Sequence, residues 1–428
     1  MGRLGKMTTA RNRLTTYVLI ALLALVVRLL VGVSMGGIRH PQLFEYDAIA
    51  QSMIAGRGYL FHHLDVDYYS FVTPLYPWIT AASYSLGKSI VPMMLVQIVV
   101  GAMLAGFAAL VGDRLYPNSV AGIAAGLLVA LHPGLVIYSA TKAHPLTFDA
   151  AFFALALLQA FRIVDRPTVK RFVIFGLIVG LGALSRGTVL IALPVVGIWY
   201  LAITARRLWP NAICKLFVAG VCTVAVIAPW IIRNSMLHHQ FVFLLTTDAE
   251  DFWRGNNPHA SGGSYVDSKK LVLDELSPDE QSALRHQPNE IAQANWFTAQ
   301  SHDFIRSHGG ASAQLFVKKL FYFWWFAPQT GVEYPNLWRQ IYVLYYAIAL
   351  LFAFIGLWRT IRAGPPAAHF SILIVVFIIA LSILQSVYYV EGRHRWGIEL
   401  MVLALAGAGV ATLFNLARAS GHERIKAK

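Results

Sequence analysis

Glu45 and Asp47 are the first residues in this chain whose type and placement could do chemistry. They lie in the stretch Pro41–Tyr59, PQLFEYDAIAQSMIAGRGY, directly after the first long apolar run, and so emerge at a membrane surface. Pro41 and Gln42 suit a helix start, an apolar-periodic body follows, and Gly56 and Gly58 act as stop signals. Both acids fall in the first turns, where the helix dipole favours a carboxylate. Asp47 aligns with Gln51 one turn on, and Glu45, two residues away, occupies another face. A carboxylate fixed at that edge is a candidate general base; the plainer alternative is a charge suited to a helix start. Asp47 takes the role of base, with Glu45 beside it as a substrate-binding candidate.

Charged groups at membrane depth are costly and therefore functional candidates. Arg28 sits inside the first apolar run, Lys142 and His144 fall in a short turn, and Asp149 begins the run after it. Arg186 interrupts a pair of apolar segments, and Arg393, His394 and Arg395 stand together before the last one. In a compact bundle these residues converge on one cavity, although a single arginine can also simply snorkel to headgroups. Basic side chains there suit a lipid phosphate. A carboxylate base beside them suits deprotonation of an acceptor hydroxyl, and a leaving phosphate needs cations more than it needs an acid. The combination points to glycosyl transfer from a lipid-linked sugar. The alternative is a transporter or flippase of such a lipid, which predicts inverted repeats and acidic relays deep in the spans; the sequence displays neither.

Asp65-Val66-Asp67 is a literal DxD, and paired acids at that spacing can hold a divalent cation. The motif is common by chance in polar loops, so Asp65 and Asp67 are weak metal candidates and no cofactor is assigned. His259, His286, His302 and His308 lack metal-ligand spacing. Cys214 and Cys222 suggest neither a disulfide framework nor a metal set.

The elements that must position these groups are membrane spans. Hydrophobic residues make up 57% of the 428 residues and charged ones 13%, with mean hydropathy +0.58. That profile defines an all-α polytopic membrane protein rather than a set of soluble domains. The net charge of +14 comes from Lys and Arg clustered between apolar runs, which argues against a nucleic-acid partner. About ten transmembrane helices satisfy the length rule, near 17–34, 92–112, 120–140, 146–164, 171–184, 188–204, 215–232, 341–358, 370–389 and 396–416. The first is read as a retained helix, not a cleaved signal. Pro77–Leu86 is too short to cross and reads as interfacial or re-entrant.

With that count, the basic N-terminal tail, Arg162–Arg171, Arg206–Lys215, Arg359–Arg362 and the basic C-terminal tail share one side. The positive-inside rule makes that side, and both termini, cytoplasmic. Three regions follow: residues 1–232 with a catalytic first outer loop at 35–94, an outer-face cap at 233–340, and C-terminal spans with a basic tail at 341–428. In the cap, Ser277 and Glu280 have capping-box spacing, a second helix is expected over about 289–307, and Leu320–Phe326 reads as an interfacial aromatic belt.

Several stretches resemble the GT-C membrane glycosyltransferases, in particular the bacterial branch of protein mannosyltransferases and aminoarabinose transferases. They are EYDAIAQSMIAGRGY, TPLYPW, SRGT with Gly187 where proline is usual, APWIIRN, FWRGNNP and GRHRWGIE. The resemblance implies a polyprenyl-phosphate sugar donor, an acceptor hydroxyl on a lipid, glycan or protein at the outer face, and inversion at the anomeric carbon. It implies Asp47 as base, with Arg186 and Arg395 for the lipid phosphate. The chain departs from the family's Asp-Glu pair, since Ala48 follows Asp47, and His144-Pro145 stands where many members carry a glutamate at the fourth span. His144 or Asp149 could substitute there.

Overall fold

The computed structural model describes residues 2–117, 119–267, 270–327 and 336–426. Parts of the expected cap (268–269 and 328–335) and the last residues of the basic tail lie outside them. The chain is almost wholly helical, as its composition predicts. The N-terminal half runs α1 (Gly2–Ser34), α2 (Glu45–Ile54), β1 (Phe61–His63), β2 (Val66–Tyr68), α3 (Leu75–Gly87), α4 (Val91–Leu115), α5 (Ser119–Ala130), α6 (Pro133–Thr141), α7 (Leu146–Asp165) and α8 (Val169–Ser185). A 3-10 turn (Gly187–Ile191) leads into α9 (Ala192–Ile203) and then α10 (Trp209–His238). Loop helices α11 (Asp248–Gly255), α12 (Pro278–Arg285), α13 (Glu290–Ser307) and α14 (Gly309–Trp324) precede the last long helices, α15 (Asn336–Arg362), α16 (Ala367–Val387) and α17 (Trp396–Lys426).

The expected spans fall mainly on α-helix, with 120–140 interrupted at 131–132 and 188–204 beginning in the 3-10 turn. Among the described residues seven helices are long and apolar enough to cross a membrane by themselves. An eighth span would be α5 and α6 together, bent by 48°. Pro133 forces that break, because it cannot donate to the preceding turn; the His132 side chain instead caps α6 by accepting the Leu135 N–H at 3.1 Å. The remaining pair, α8 and α9, is short, with 17 and 12 residues on either side of Arg186. The break foreseen at Ser185-Arg186-Gly187 is therefore real.

The bundle core is built from small residues and aromatics. In α1, Tyr17, Ile20, Ala24 and Arg28 form one buried stripe at helical spacing, and Leu19, Leu22, Val26 and Leu30 on the other side are exposed as a lipid-facing surface would be. Contact is closest where α15 crosses α17. A Cβ on Gly356 would stand 1.9 Å from the Leu405 carbonyl oxygen, and one on Gly409 2.0 Å from that of Phe352. Only glycine allows backbones to approach this closely.

The connections 35–90 and 239–327 cover one end of the bundle, here called the loop face. Helix α2 starts later than expected. Gln42 is engaged in strand-like pairing with the 141–143 turn (Gln42 N–H to Thr141 O, 2.9 Å; Ala143 N–H to Gln42 O, 2.9 Å), so the helix begins at Glu45. Its end is as expected, with Gly56 and Gly58 at φ +76° and +80°. The Ser277 capping box also forms, with the Ser277 N–H donating to Glu280 Oε2 at 2.8 Å.

The two loops are clamped together by Glu290, a fully buried carboxylate at the first position of α13. It accepts the Tyr69 N–H at 2.8 Å, the Ser70 N–H at 3.3 Å and the Thr246 hydroxyl at 2.6 Å, and it faces His238 at 3.1 Å. One side chain thus joins the first loop, the end of α10 and the segment after it.

Candidate functional site

Between this clamp and the bundle lies a cavity of about 510 Å³. Its walls come from segments distant in sequence: the start of α2 (Glu45, Tyr46), residues 71–73, His144, the break at Ser185–Thr188, residues 243–254, the end of α16 with Tyr388 and Tyr389, and Arg393-His394 before α17. The folding that Glu290 enforces on residues 69–70 and 246 shapes two of these walls directly.

Arg186 enters from the break between α8 and the 3-10 turn. Its Nη1 is 3.7 Å from Asp149 Oδ2 on α7, a loose pairing, and the other Asp149 oxygen accepts the Ser185 hydroxyl at 3.0 Å. Thr73 fixes the break by donating to the Ser185 carbonyl at 2.7 Å. Arg393 pairs with Glu391 at 3.0 Å, and Glu391 also accepts the Ser264 hydroxyl at 2.6 Å. Arg254 is tied within α11 to Glu250, and Glu250 takes a second contact from His63 at 3.0 Å. Burial would raise the Glu250 carboxyl, but Arg254 and His63 outweigh that and hold it at about 2. Glu250 is therefore a fixed anion, and Arg254 is largely neutralised by it. Of the cavity guanidiniums, Arg186 is the one least satisfied by its partner.

Glu45 opens α2 with its side chain on the cavity wall. Burial raises its carboxyl above the ordinary glutamate value, and the charges of Arg254, Arg393 and His63 work the other way. His144 packs edge-on against Phe44, Tyr46 and Tyr138, with ring centroids 5.0, 5.4 and 5.5 Å away. Burial first, then the neighbouring arginines, push its pKa well below the usual histidine value, so the ring is neutral at physiological pH. Its Nδ1 accepts the Leu146 N–H at 3.3 Å, which leaves the proton on Nε2.

The structure thus brings Glu45, His144, Arg186 and Arg393 into one cavity, with Asp149 directly behind Arg186. The other expected site residues stand elsewhere. Asp47 does not line the cavity: its side chain is buried between α2 and α3, where the Tyr84 hydroxyl donates to Oδ1 at 2.5 Å. Glu45 holds the position that the sequence reading gave to Asp47, because the helix starts at Glu45 and turns its first residue inward. Arg28 is fully buried in the bundle and donates to the carbonyls of Ala24 (3.2 Å) and Ala130 (3.5 Å). Arg395 forms a buried pair with Glu399 at 2.7 Å, donates to the Phe323 carbonyl at 2.8 Å and lies 3.9 Å over the Tyr346 ring, so it points into the bundle. Lys142 reaches back to the Gln42 side chain and lies over Tyr138. Asp65 and Asp67 occupy the β1–β2 hairpin and face separate bases, Arg285 at 2.7 Å and His62 at 2.9 Å.

Sequence reasoning missed α11, whose Asp248, Glu250, Asp251 and Arg254 all line the cavity. The available signal was DAEDFWR, with acids in a first turn and a basic residue one turn later, beside the FWRGNNP stretch already singled out. Lys319 was missed as well. It is buried and donates to the Gly255 carbonyl (3.0 Å), Asn256 Oδ1 (3.3 Å) and the Val387 carbonyl (3.3 Å), joining the end of α11 to the end of α16.

Spans, a broken α8–α9 pair and a loop-covered cavity of acids and arginines describe a polytopic membrane protein with a polar site at one end of its bundle. The family model for dolichyl-phosphate-mannose-protein mannosyltransferase matches residues 72–232. The fold is similar to the archaeal oligosaccharyltransferase AglB from Archaeoglobus fulgidus in complex with an inhibitory peptide and a dolichol-phosphate, with TM-score 0.57 and 13% identity over 96% of this chain and 52% of that one. An oligosaccharyltransferase from the same organism, tethered with an acceptor peptide, aligns with TM-score 0.56 and 12% identity over 94% and 50% of the two chains. ArnT from Cupriavidus metallidurans in the apo state aligns with TM-score 0.54 and 17% identity over 94% and 60%. No curated protein matches by sequence. The chain spans about half the length of the archaeal structures, and likeness at these identities concerns the fold. The family model thus matches part of the chain, and the fold of nearly the whole chain is similar to that of these membrane proteins.

Proposed function

We propose that this protein is an integral-membrane glycosyltransferase that moves a sugar from a polyprenyl-phosphate donor to an acceptor hydroxyl at the outer face of a bacterial inner membrane, with both termini cytoplasmic. The observation that carries this reading is the meeting of the Glu45 carboxylate with Arg186 and Arg393 in one cavity on the loop face. Glu45, rather than Asp47, is the proposed base. It takes the proton of the acceptor hydroxyl as that oxygen attacks the anomeric carbon. The bond from that carbon to the phosphate oxygen breaks, its electron pair stays with the phosphate, and the sugar inverts. Arg186 and Arg393 receive the growing phosphate charge, a stabilisation that preorganised cations supply without reorganisation cost. The dolichol-phosphate bound in the AglB structure supports a donor of this class.

The test is envelope glycan mass spectrometry on cells carrying the wild-type gene, a deletion, or Glu45→Gln. The reading expects one missing sugar in the deletion and the same loss in Glu45→Gln, with membrane insertion unchanged. Wild-type transfer by a correctly inserted Glu45→Gln protein would remove Glu45 from the mechanism.

A further inference from the structure

A second recess of about 380 Å³ lies on the far side of the segment that walls the cavity. Phe243, Leu245 and Asp248 line both spaces, so the two adjoin one another along these side chains. Helix α13 explains how the recess forms. Glu290, Gln293, Phe297, Ser301 and Phe304 make its buried stripe, facing the loop core. Ile291, Ala294, Asn295 and Thr298, at spacings of three and four, form a second stripe that floors the recess. The rim carries Gln240 and Phe241, the latter 76% exposed.

We propose that this recess is an acceptor subsite for a neutral glycan, whose reacting hydroxyl passes Asp248 into the cavity towards Glu45. The inference rests on the glycosyl-transfer reading and adds the class of acceptor. The lining chemistry makes the choice. Ring faces at Phe241 and Phe252, with the amides of Gln240 and Asn295 and the Thr298 hydroxyl, match a molecule that has apolar faces and a rim of hydroxyls. None of the described lining residues is Lys, Arg or His, and Asp248 is an acid. A phosphorylated lipid headgroup or an acidic glycan would meet that carboxylate with no cation on the recess wall itself, since Arg186, whose charge reaches Asp248, stands on the cavity side. The division of labour is consistent: arginines stand in the cavity, where a phosphate is to be held, and are absent from the approach.

The experiment plugs the recess without touching the cavity. Ala294→Trp fills the floor of the groove, and Ala299→Trp, at an exposed position of the same helix outside the recess, is the control. Purified proteins are titrated with undecaprenyl phosphate, and each variant is returned to a deletion strain for glycan mass spectrometry. Ala294→Trp should bind the lipid phosphate within about twofold of wild type yet lose at least about tenfold of the sugar product, with Ala299→Trp retaining it. If Ala294→Trp loses lipid binding, Phe241→Ala/Asn295→Ala, at two exposed positions, takes its place with the same expectation. A plugged protein that binds the lipid phosphate and makes wild-type product overturns the subsite. So does a product in which the sugar is attached to a phosphorylated lipid or to a polypeptide. A deletion that removes no glycan defeats the transfer reading itself, and the subsite with it.

Discussion

At the scale of single residues the decisive contrast is between two carboxylates two positions apart. Asp47 spends one oxygen on Tyr84, away from the cavity, and Glu45 faces it with no comparably committed side-chain partner among the described residues. Glu45→Gln is therefore expected to lower kcat by about 10²–10⁴, the usual range for a lost general base, with donor binding retained. Asp47→Asn keeps an acceptor for Tyr84 and should change kcat less than about threefold. Steady-state kinetics on the two variants separate the assignments directly. The pH profile adds an independent check. Burial raises the Glu45 pKa, and the base must be ionised to act. Activity should therefore rise with pH along an acid limb whose midpoint lies above the ordinary glutamate value of 4.5, and the limb should vanish from any residual activity of Glu45→Gln. Arg28 provides the opposite case. Two of its buried guanidinium nitrogens have no hydrogen-bond partner, and the side chain is remote from the cavity. Arg28→Met should leave transfer intact and stability unchanged or improved, since replacing a poorly paired buried charge by a packed apolar chain is commonly neutral or favourable.

At the scale of elements, the cavity exists because loops are fastened to one another, and Glu290 is the chief fastening. Glu290→Ala would leave the Tyr69 and Ser70 N–H groups and the Thr246 hydroxyl without their acceptor in a buried place. The expected cost is about 2–4 kcal/mol of loop-face stability, by loss of hydrogen bonds to a charged acceptor. Limited proteolysis at the loop face, together with thermal unfolding, should register it, with Glu290→Gln intermediate because it keeps one acceptor oxygen. This clamp was not legible in the sequence. The acid is one of many in a polar loop, and its partners come from positions 69–70, 238 and 246, a pairing that no local pattern encodes. What was legible was everything local: the stop at Gly56 and Gly58, the Ser277 box, the break around Arg186. The late start of α2 escaped for the same reason as the clamp. Gln42 is withdrawn from the helix by a strand-like pairing with residues a hundred positions on, and that shift exchanges which carboxylate faces the cavity.

At the scale of the whole molecule, hydropathy located the bundle well, since a span must satisfy its own backbone and so announces itself by length and composition. It located the charged residues less well. Arg28, Arg186 and Arg395 all stand within or beside apolar segments, but the direction in which each points depends on helix rotation, which packing decides. That packing is tightest at the α15–α17 crossing, where Gly356 and Gly409 interlock with the opposite backbone. Gly409→Ala places a methyl 2.0 Å from the Phe352 carbonyl oxygen, and because both sides of the clash are backbone no rotamer change can relieve it. The helices must separate, and α17 carries at its loop-face end the Arg393 turn that lines the cavity. A destabilisation of at least about 2–3 kcal/mol is expected from overpacking of this kind. Gly220→Ala on α10 is the matched control, with nothing within 4 Å of its new methyl, and should be neutral or slightly stabilising through helix propensity. Thermal unfolding of both variants in the same detergent tests the crossing, and undecaprenyl phosphate titration of whatever fraction of Gly409→Ala remains folded tests its reach. Weaker lipid-phosphate binding in that fraction would mean that the bundle, and not only the loops above it, sets the position of Arg393.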